Sequence, residues 1–159
     1  TIGLLFDPAI STRRIETLAP ALSRAGYTPM LAPVPAAATL PSALERLTNS
    51  VDAMLAIPDP TVYTPQASRA LLLFSFRNKI PLIGLAEAWV RAGALYALDW
   101  DFEELGRYCG ALAARAIAAG RAPAPAMPRP RVTVNRRTAE QLGVKWSAEL
   151  LRTVDRTYD

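Results

Sequence analysis

The sequence alternates short apolar runs with longer stretches of helical periodicity, and this alternation restricts the possible fold more than any other feature. The runs IGLLF at 2–6, VDAMLAI at 51–57 and IPLIGL at 80–85 are typical of strands that are covered on both faces. Strands that alternate with helices form parallel sheets with right-handed crossovers. We therefore predict a three-layer α/β fold, in which a parallel sheet is flanked by helices.

The remaining elements are read from turn and capping residues. Residues 27–34 indicate a strand that contains Pro29 and Pro33, which a position at the edge of the sheet tolerates best. Asp101 and Glu104 have the spacing of a capping box for a helix at 102–119. Other predicted strands lie at 93–98 and 131–135. Other predicted helices are one capped by Ser11 or Thr12, and those at 40–47, 65–74, 136–142 and 146–159.

These elements divide the chain into four parts. Residues 1–98 form a Rossmann-like α/β lobe, and residues 99–120 contribute a helix whose small residues indicate close packing against a flat surface. Residues 121–130, RAPAPAMPRP, are a proline-rich connector. Residues 131–159 supply a return strand and C-terminal helices.

Composition excludes several kinds of site. The chain has no histidine, which removes the commonest general base and most zinc sites. No glycine-rich phosphate loop follows any predicted strand, so we expect no nucleotide cofactor and no metal. The single cysteine, Cys109, lies in a helical apolar stripe and is predicted to be buried. The net charge of +4 demands no nucleic-acid partner.

From the way the sequence begins, we expect a piece of a longer protein. The chain opens with Thr1 and enters a strand at Ile2, and no secretory leader is present. No apolar run reaches the ~18 residues of a membrane span.

Carboxylates follow three strands of the predicted sheet. Asp7 follows the first strand, Asp59 and Thr61 follow the third, and Glu87 follows the fourth in a predicted loop. Ligands of such sheets bind at the carboxyl ends of the strands, so these side chains are candidate ligand contacts. Polar residues at these positions are also ordinary turn and cap formers, and that alternative stays open.

Two tryptophans lie in the same loops as acidic residues. Trp89 is close to Glu87, and Trp100 precedes Asp101. An indole beside a carboxylate suits a small zwitterionic or aromatic ligand, because the ring offers area and the anion meets an ammonium group. Core packing is the alternative for each indole.

Five segments resemble a known family in their order and spacing. They are VDAMLAIPDPTV, KIPLIGLAEAWVRAGALYAL, DFEELGR, AIAAGRAP and VTVNRRTAEQLGV. The series is similar to the C-terminal half of the ABC transporter substrate-binding proteins that include tryptophan and tyrosine binders.

The resemblance implies one lobe of a type I periplasmic-binding-protein-like fold plus crossing segments. It also implies that the helix within residues 99–120 would pack on a first lobe that is missing here. Asp59 and Thr61 fall on the family's Asp-Asn-Thr loop, Glu87 on its next acidic loop, and Asp101 on the aspartate before its Leu-Gly helix. The chain departs from the family at Pro60 and Ala86, and both changes remove polar groups.

The resemblance also implies a function, which is solute binding for an ABC importer rather than catalysis. The expected partners are a small ligand such as an amino acid and an ABC permease, in the periplasm or another extracytoplasmic space. One alternative is an extracytoplasmic sensing domain of a signalling protein, and a less favoured one is a small flavodoxin-like enzyme using Asp99 and Asp101. We also expect self-association, as a homodimer that exchanges the segment after Trp100.

Overall fold

One seven-stranded sheet organises the chain, and its strand order is β2-β1-β3-β4-β5-β6-β7. The computed structural model describes residues 1–124 and 128–159, so residues 125–127 of the predicted connector lie outside the described residues. The strands are β1 (Ile2–Phe6), β2 (Pro29–Pro33), β3 (Ala53–Leu55), β4 (Leu82–Gly84), β5 (Tyr96–Asp99), β6 (Arg131–Asn135) and β7 (Arg156–Tyr158).

The first five strands are parallel, as predicted from the alternation of strands and helices. The sheet departs from a wholly parallel one at a single joint among the described strands, where β6 runs antiparallel to β5 and pairs Asp99 with Arg131. β7 then adds parallel to β6. The mostly parallel α/β fold is therefore confirmed, and the return strand becomes part of the same sheet.

Seven α-helices connect or follow these strands in the described part of the chain, and a short 3₁₀ helix (Ala37–Thr39) precedes the second of them. The α-helices are α1 (Pro8–Arg24), α2 (Leu40–Leu47), α3 (Pro65–Asn78), α4 (Glu87–Arg91), α5 (Phe102–Ala119), α6 (Arg136–Leu142) and α7 (Ala148–Thr153). Parallel crossovers are right-handed. The step from β1 to β2 runs opposite to the steps from β2 to β3, β4 and β5, so α1 lies on one face and α2, α3 and α4 lie on the other.

The core lies along the inner strands and the inward faces of these helices. Leu4 and Leu5 of β1, Met54 of β3 and Leu82 of β4 are almost fully buried, and so is Leu71 of α3. Such continuous burial along β1, which leaves only its first residue partly exposed, explains why the strand reads as an uninterrupted apolar run.

The edge strand β2 accommodates both prolines without loss of hydrogen bonds. Val34 donates its N–H to Phe6 of β1, and Thr28 accepts from Ile2. The backbone hydrogen-bonding groups of successive residues face alternate sides of a strand. Because those of Thr28 and Val34 face β1, the backbone nitrogens of Pro29 and Pro33 face away from it. The strand order places β2 at the edge of the sheet, so the predicted edge position is confirmed. A residue without an N–H loses no hydrogen bond there.

Two predictions about the second half of the chain are wrong. The predicted helix at 146–159 is the shorter helix α7 followed by the strand β7. Cys109 is exposed rather than buried, because α5 contains no buried residue. Phe102 and Ile117 of α5 are 75% and 84% exposed, so the apolar stripe of this helix meets nothing in the described chain that buries it.

Candidate ligand-binding rim

The rim, by which we mean the residues that follow the carboxyl ends of β1, β3, β4 and β5, lies along one edge of the sheet. Strand order 2-1-3-4-5 places a topological switch point between β1 and β3, where open α/β sheets bind ligands. Asp7 and Asp59 follow these two strands, Glu87 follows β4, and Trp100 with Asp101 follows β5. The parallel pairing therefore brings the predicted residues to a common edge.

Asp59 fills the switch point and is hydrogen-bonded on both oxygens. Its Oδ2 accepts from Asp7 N at 2.8 Å and from Ser11 Oγ at 2.6 Å. Its Oδ1 accepts from Thr61 N at 3.0 Å and from Val62 N at 3.1 Å. The side chain is 3% exposed. Four donors, two at the start of α1 and two in the β3–α3 loop, saturate this carboxylate, so it holds the β1–α1 turn against the β3–α3 loop.

Asp7 and Thr61 complete this network, to which we refer as the switch-point cluster (Asp7, Ser11, Asp59 and Thr61). Asp7 caps α1 by accepting from Ala9 N at 2.9 Å, and its other oxygen accepts from Thr61 Oγ1 at 2.8 Å. The helix therefore begins at Pro8, and the prediction that Ser11 or Thr12 caps it is wrong. Ser11 lies one turn inside the helix and is fully buried.

The electrostatics of Asp59 follow from these contacts. Burial by itself raises the pKa of this carboxyl group, because it penalises the charged form. The hydrogen bond from Ser11 and the N–H groups of Asp7, Val62 and Thr61 outweigh burial and hold the pKa below its ordinary value. The carboxylate is therefore ionised at neutral pH, with its charge spread over four donors.

Glu87 is the first residue of α4, so the predicted loop at this position is wrong. Its backbone N–H donates to Asp99 Oδ2 at 3.0 Å, which connects the end of β4 to the end of β5. Its carboxylate accepts from Arg156 Nη1 and from the Tyr158 hydroxyl, each at 2.5 Å. Glu87 thus joins the rim to the C-terminal strand β7.

The hydrogen bonds to Glu87 give a testable pH dependence. Tyr158 first and Arg156 second lower the pKa of this carboxyl group. A lowered pKa contributes stability that is present above the ordinary pKa and is lost as the pH falls through the folded value. We expect Tyr158→Phe to raise the pKa of Glu87 and to lower the free energy of unfolding at neutral pH by under ~1 kcal/mol, because the pair is partly exposed.

Carboxyl-carbon NMR titration measures that pKa directly. Tyr27→Phe is the matched control, because Tyr27 is 54% exposed and precedes β2, which lies at the edge of the sheet opposite to β7. An unchanged Glu87 titration in Tyr158→Phe would show that the hydroxyl does not hold the carboxylate.

Asp101 and Trp100 occupy the end of β5. Asp101 caps α5 by accepting from Glu103 N and Glu104 N, and it forms an ion pair with Arg131. The N–H of Glu104 first, and then Arg131, hold the pKa of Asp101 below its ordinary value. Trp100 is half-buried, and its backbone N–H donates to Asp99 Oδ1 at 2.7 Å.

Trp89 differs from its predicted place in a loop, because it lies within α4. Its ring meets that of Tyr63 edge to face, with centroids 5.9 Å apart and planes at 70°. The side chain packs partly buried against the core. Of the two predicted indoles, Trp100 alone follows a strand end directly.

Sequence reasoning missed the partners of the rim carboxylates. Ser11, Arg131, Arg156 and Tyr158 are separated from the acids that they contact by 30 to 71 positions, and none carries a local pattern that names its partner. The spacing of Ser11 on the buried side of α1, four residues before Ile15, was the one usable signal.

Two negative observations concern the described residues alone. No three Asp, Glu or Cys side chains in residues 1–124 and 128–159 are grouped closely enough to hold a metal ion. Among the described helices, none combines the length and apolarity needed to cross a membrane.

Solved structures share this fold over the whole chain. An ABC domain from Streptococcus pneumoniae in complex with L-Trp is 21% identical, with a TM-score of 0.75 over 98% of this chain and 55% of its own. A conserved domain protein from Vibrio cholerae is 25% identical, with a TM-score of 0.76 over 98% of this chain and 54% of its own.

A third structure is a ligand-free, open substrate-binding protein with adhesive properties from Clostridium difficile. It is 18% identical, with a TM-score of 0.76 over 99% of this chain and 54% of its own. The chain thus spans about half the length of the solved structures that it matches.

Sequence comparison gives the family. No curated protein sequence matches this chain. The family described as ABC transporter substrate binding protein matches residues 1–158. Because that match extends over nearly all of the sequence, the chain belongs to the ABC transporter substrate-binding protein family.

Proposed function

We propose that the chain is one lobe of a solute-binding protein and that its rim forms one wall of the ligand cleft. The observation that supports this most is the convergence of four strand ends, with their polar and aromatic side chains, on a single edge of the sheet. The match to a substrate-binding family over residues 1–158 supports it independently.

Within this proposal the rim residues have two roles. Thr61, Glu87, Trp100 and Asp101 are each partly exposed, so they are the side chains that a ligand can reach. Asp7 and Asp59 are buried and saturated by protein donors, so we assign them to positioning Thr61 rather than to ligand contact. The Trp100 ring supplies apolar area, and Thr61 supplies a hydroxyl that can still accept a hydrogen bond.

The proposed ligand is a small polar solute such as an amino acid, since one matching structure holds L-Trp. The protein acts by binding and release, and its partner is an ABC permease at the outer side of the membrane. Closure around the ligand would create the surface that the permease recognises.

Calorimetry and thermal shift test the proposal. Because the chain spans about half of the matching structures, the experiment uses the complete gene product with a panel of L-amino acids and other small polar solutes. A ligand at 100 times its Kd stabilises by about 2.7 kcal/mol, which raises the melting temperature measurably. The absence of any stabilising solute would contradict the proposal.

A pair of threonine variants shows where the ligand binds. We expect Thr61→Val to weaken binding of the stabilising solute about fivefold, the effect of one lost hydrogen bond of about 1 kcal/mol. Thr17→Val is the matched control, because the Thr17 hydroxyl is exposed on α1 and donates only to Arg13 O. Equal affinity in the two variants would place the ligand away from the rim.

We also propose that α5 is covered by a second molecule when this chain is studied by itself, through exchange of the segment after Trp100. The exposed Phe102 and Ile117 support this, because a helix with no buried residue gains by covering its apolar stripe. We expect concentration-dependent dimers in sedimentation velocity, weakened by Ile117→Lys but not by Arg121→Lys. A monomer at all concentrations would contradict this proposal.

A further inference from the structure

A groove separates α3 from α4, and no role described so far uses it. It has an inner compartment of about 220 Å³, between Tyr63 and Trp89, and an outer compartment of about 360 Å³, beside Phe76. The two compartments share Ser68, Leu72 and Ala92, so they form one continuous feature, which we name the side groove.

The inner compartment offers aromatic and aliphatic surface. The Tyr63 and Trp89 rings meet edge to face at one end, and Leu72 and Ala88 line the groove with them. The Tyr63 hydroxyl is turned into the core, where it donates towards Leu5 O, so the ring presents apolar area to the groove. The volume of about 220 Å³ accommodates one small ring or branched aliphatic group rather than a drug-sized ligand.

The outer compartment carries a single charge. Arg69 is the one charged residue among those that line either compartment. The Arg69 guanidinium forms no hydrogen bond and no ion pair with any of the described residues. Ser68 beside it donates its hydroxyl to Pro65 O at 2.6 Å and keeps its lone pairs free. The charge that complements this compartment is therefore negative, and a guanidinium prefers a carboxylate, which it can bind with two parallel N–H groups.

We propose that the side groove binds a small carboxylic acid with a flat or branched apolar body. The body occupies the inner compartment against Trp89 and Tyr63, and the carboxylate reaches Arg69. None of the residues that line this site belongs to the switch-point cluster, and none is among the four side chains assigned to ligand contact at the rim, which are Thr61, Glu87, Trp100 and Asp101. It therefore goes beyond the proposed function and stands or falls without it.

The test uses the whole chain and 3-phenylpropionate, with its amide as the neutral counterpart. The chain holds three tryptophans, so the indole N–H signals of Trp89, Trp100 and Trp146 are resolved by NMR and assigned with single Trp→Phe variants. We expect a saturable shift of the Trp89 signal alone at millimolar acid. We expect the amide to bind about threefold more weakly, since an exposed ion pair contributes modestly.

Two variants separate the parts of the site. Arg69→Gln is expected to bind acid and amide equally, because it removes the one charge among the described residues that line the groove. Ala92→Leu is expected to abolish both, because a larger side chain fills the space that the two compartments share, and Ala92 is exposed enough to accept it without unfolding. Circular dichroism verifies that each variant folds.

Three outcomes would overturn the proposal. They are the lack of a saturable Trp89 shift in the unaltered chain, equal affinity for acid and amide in that chain, and retained binding in Ala92→Leu. Thr61→Val at the rim should leave the Trp89 titration unchanged, and a loss there would assign the probe to the rim instead.

Discussion

Asp59→Ala is expected to lower the free energy of unfolding by about 3 kcal/mol or more, since it removes the shared acceptor of a buried, charged hydrogen-bond network. Four donors lose their partner at once, namely Ser11 Oγ and the N–H groups of Asp7, Thr61 and Val62. Urea denaturation at pH 7 measures the change. The same substitution should loosen the β3–α3 loop, visible as faster amide exchange at Thr61 and Val62.

Two further variants make this result specific. Glu45→Ala removes an exposed carboxylate of α2 and should change stability by under ~0.5 kcal/mol. Asp59→Asn keeps the shape but replaces one acceptor oxygen with a donor, so we expect an intermediate loss. An Asp59→Ala protein as stable as Glu45→Ala would show that the network is not a structural requirement.

The pH dependence of Asp59 has a definite sign. Folding lowers the pKa of Asp59, so its carboxyl group binds fewer protons in the folded state than in the unfolded one. Its contribution is complete above the unfolded pKa of about 3.9 and is lost as the pH falls through the lower folded value. Stability should therefore drop less steeply in acid for Asp59→Asn than for the unaltered chain.

Gly84→Ala is expected to cost about 2–3 kcal/mol by overpacking at the junction of β4 and α4. A Cβ at this position would lie 2.6 Å from Trp89 Cβ and 3.2 Å from Ala94 Cβ. The nearer atom is attached directly to the backbone of α4, so the clash is relieved only by moving the helix. Thermal and urea denaturation measure the loss, and Trp89 fluorescence should report the displacement.

Gly110→Ala is the matched control for that substitution. Gly110 lies inside α5, and a Cβ added there meets no atom within 4 Å. Alanine is the better helix former by about 0.8–1 kcal/mol, so this variant should be slightly more stable than the unaltered chain. If both glycine variants lose stability equally, the contact between Gly84 and Trp89 is not the cause.

Local signals predicted much of the fold. The cap predicted at Asp101 is confirmed, because its side chain accepts hydrogen bonds from the first turn of α5. Thr64 and Asn135 cap α3 and α6 in the same way. The alternation of apolar runs with helical stretches gave five parallel strands in the correct order along the chain. Caps and periodicity are decided by residues a few positions apart, so the sequence alone contains them.

The errors arise where distant segments decide the structure. The tail became α7 and β7 because β6 offers a free edge for residues 156–158, a partner that the tail itself does not encode. Glu87 was placed in a loop because α4 has only five residues, too few to show a helical period. The hydrogen bonds and ion pairs of the rim carboxylates come from residues that only folding brings next to them, namely Ser11, Arg131, Arg156 and Tyr158.

The outward prolines of β2 have a consequence for how molecules meet in concentrated solution. Another polypeptide that tries to lengthen the sheet at this end needs a row of backbone donors, and between Pro29 and Pro33 only Leu31 points its N–H outward. The two prolines thereby disfavour intermolecular strand pairing at this edge of the sheet. Without them, the 45% exposed side chain of Leu31 would favour association there. We expect fibril growth to be faster when both prolines are replaced by threonine, whose amide restores the missing donors.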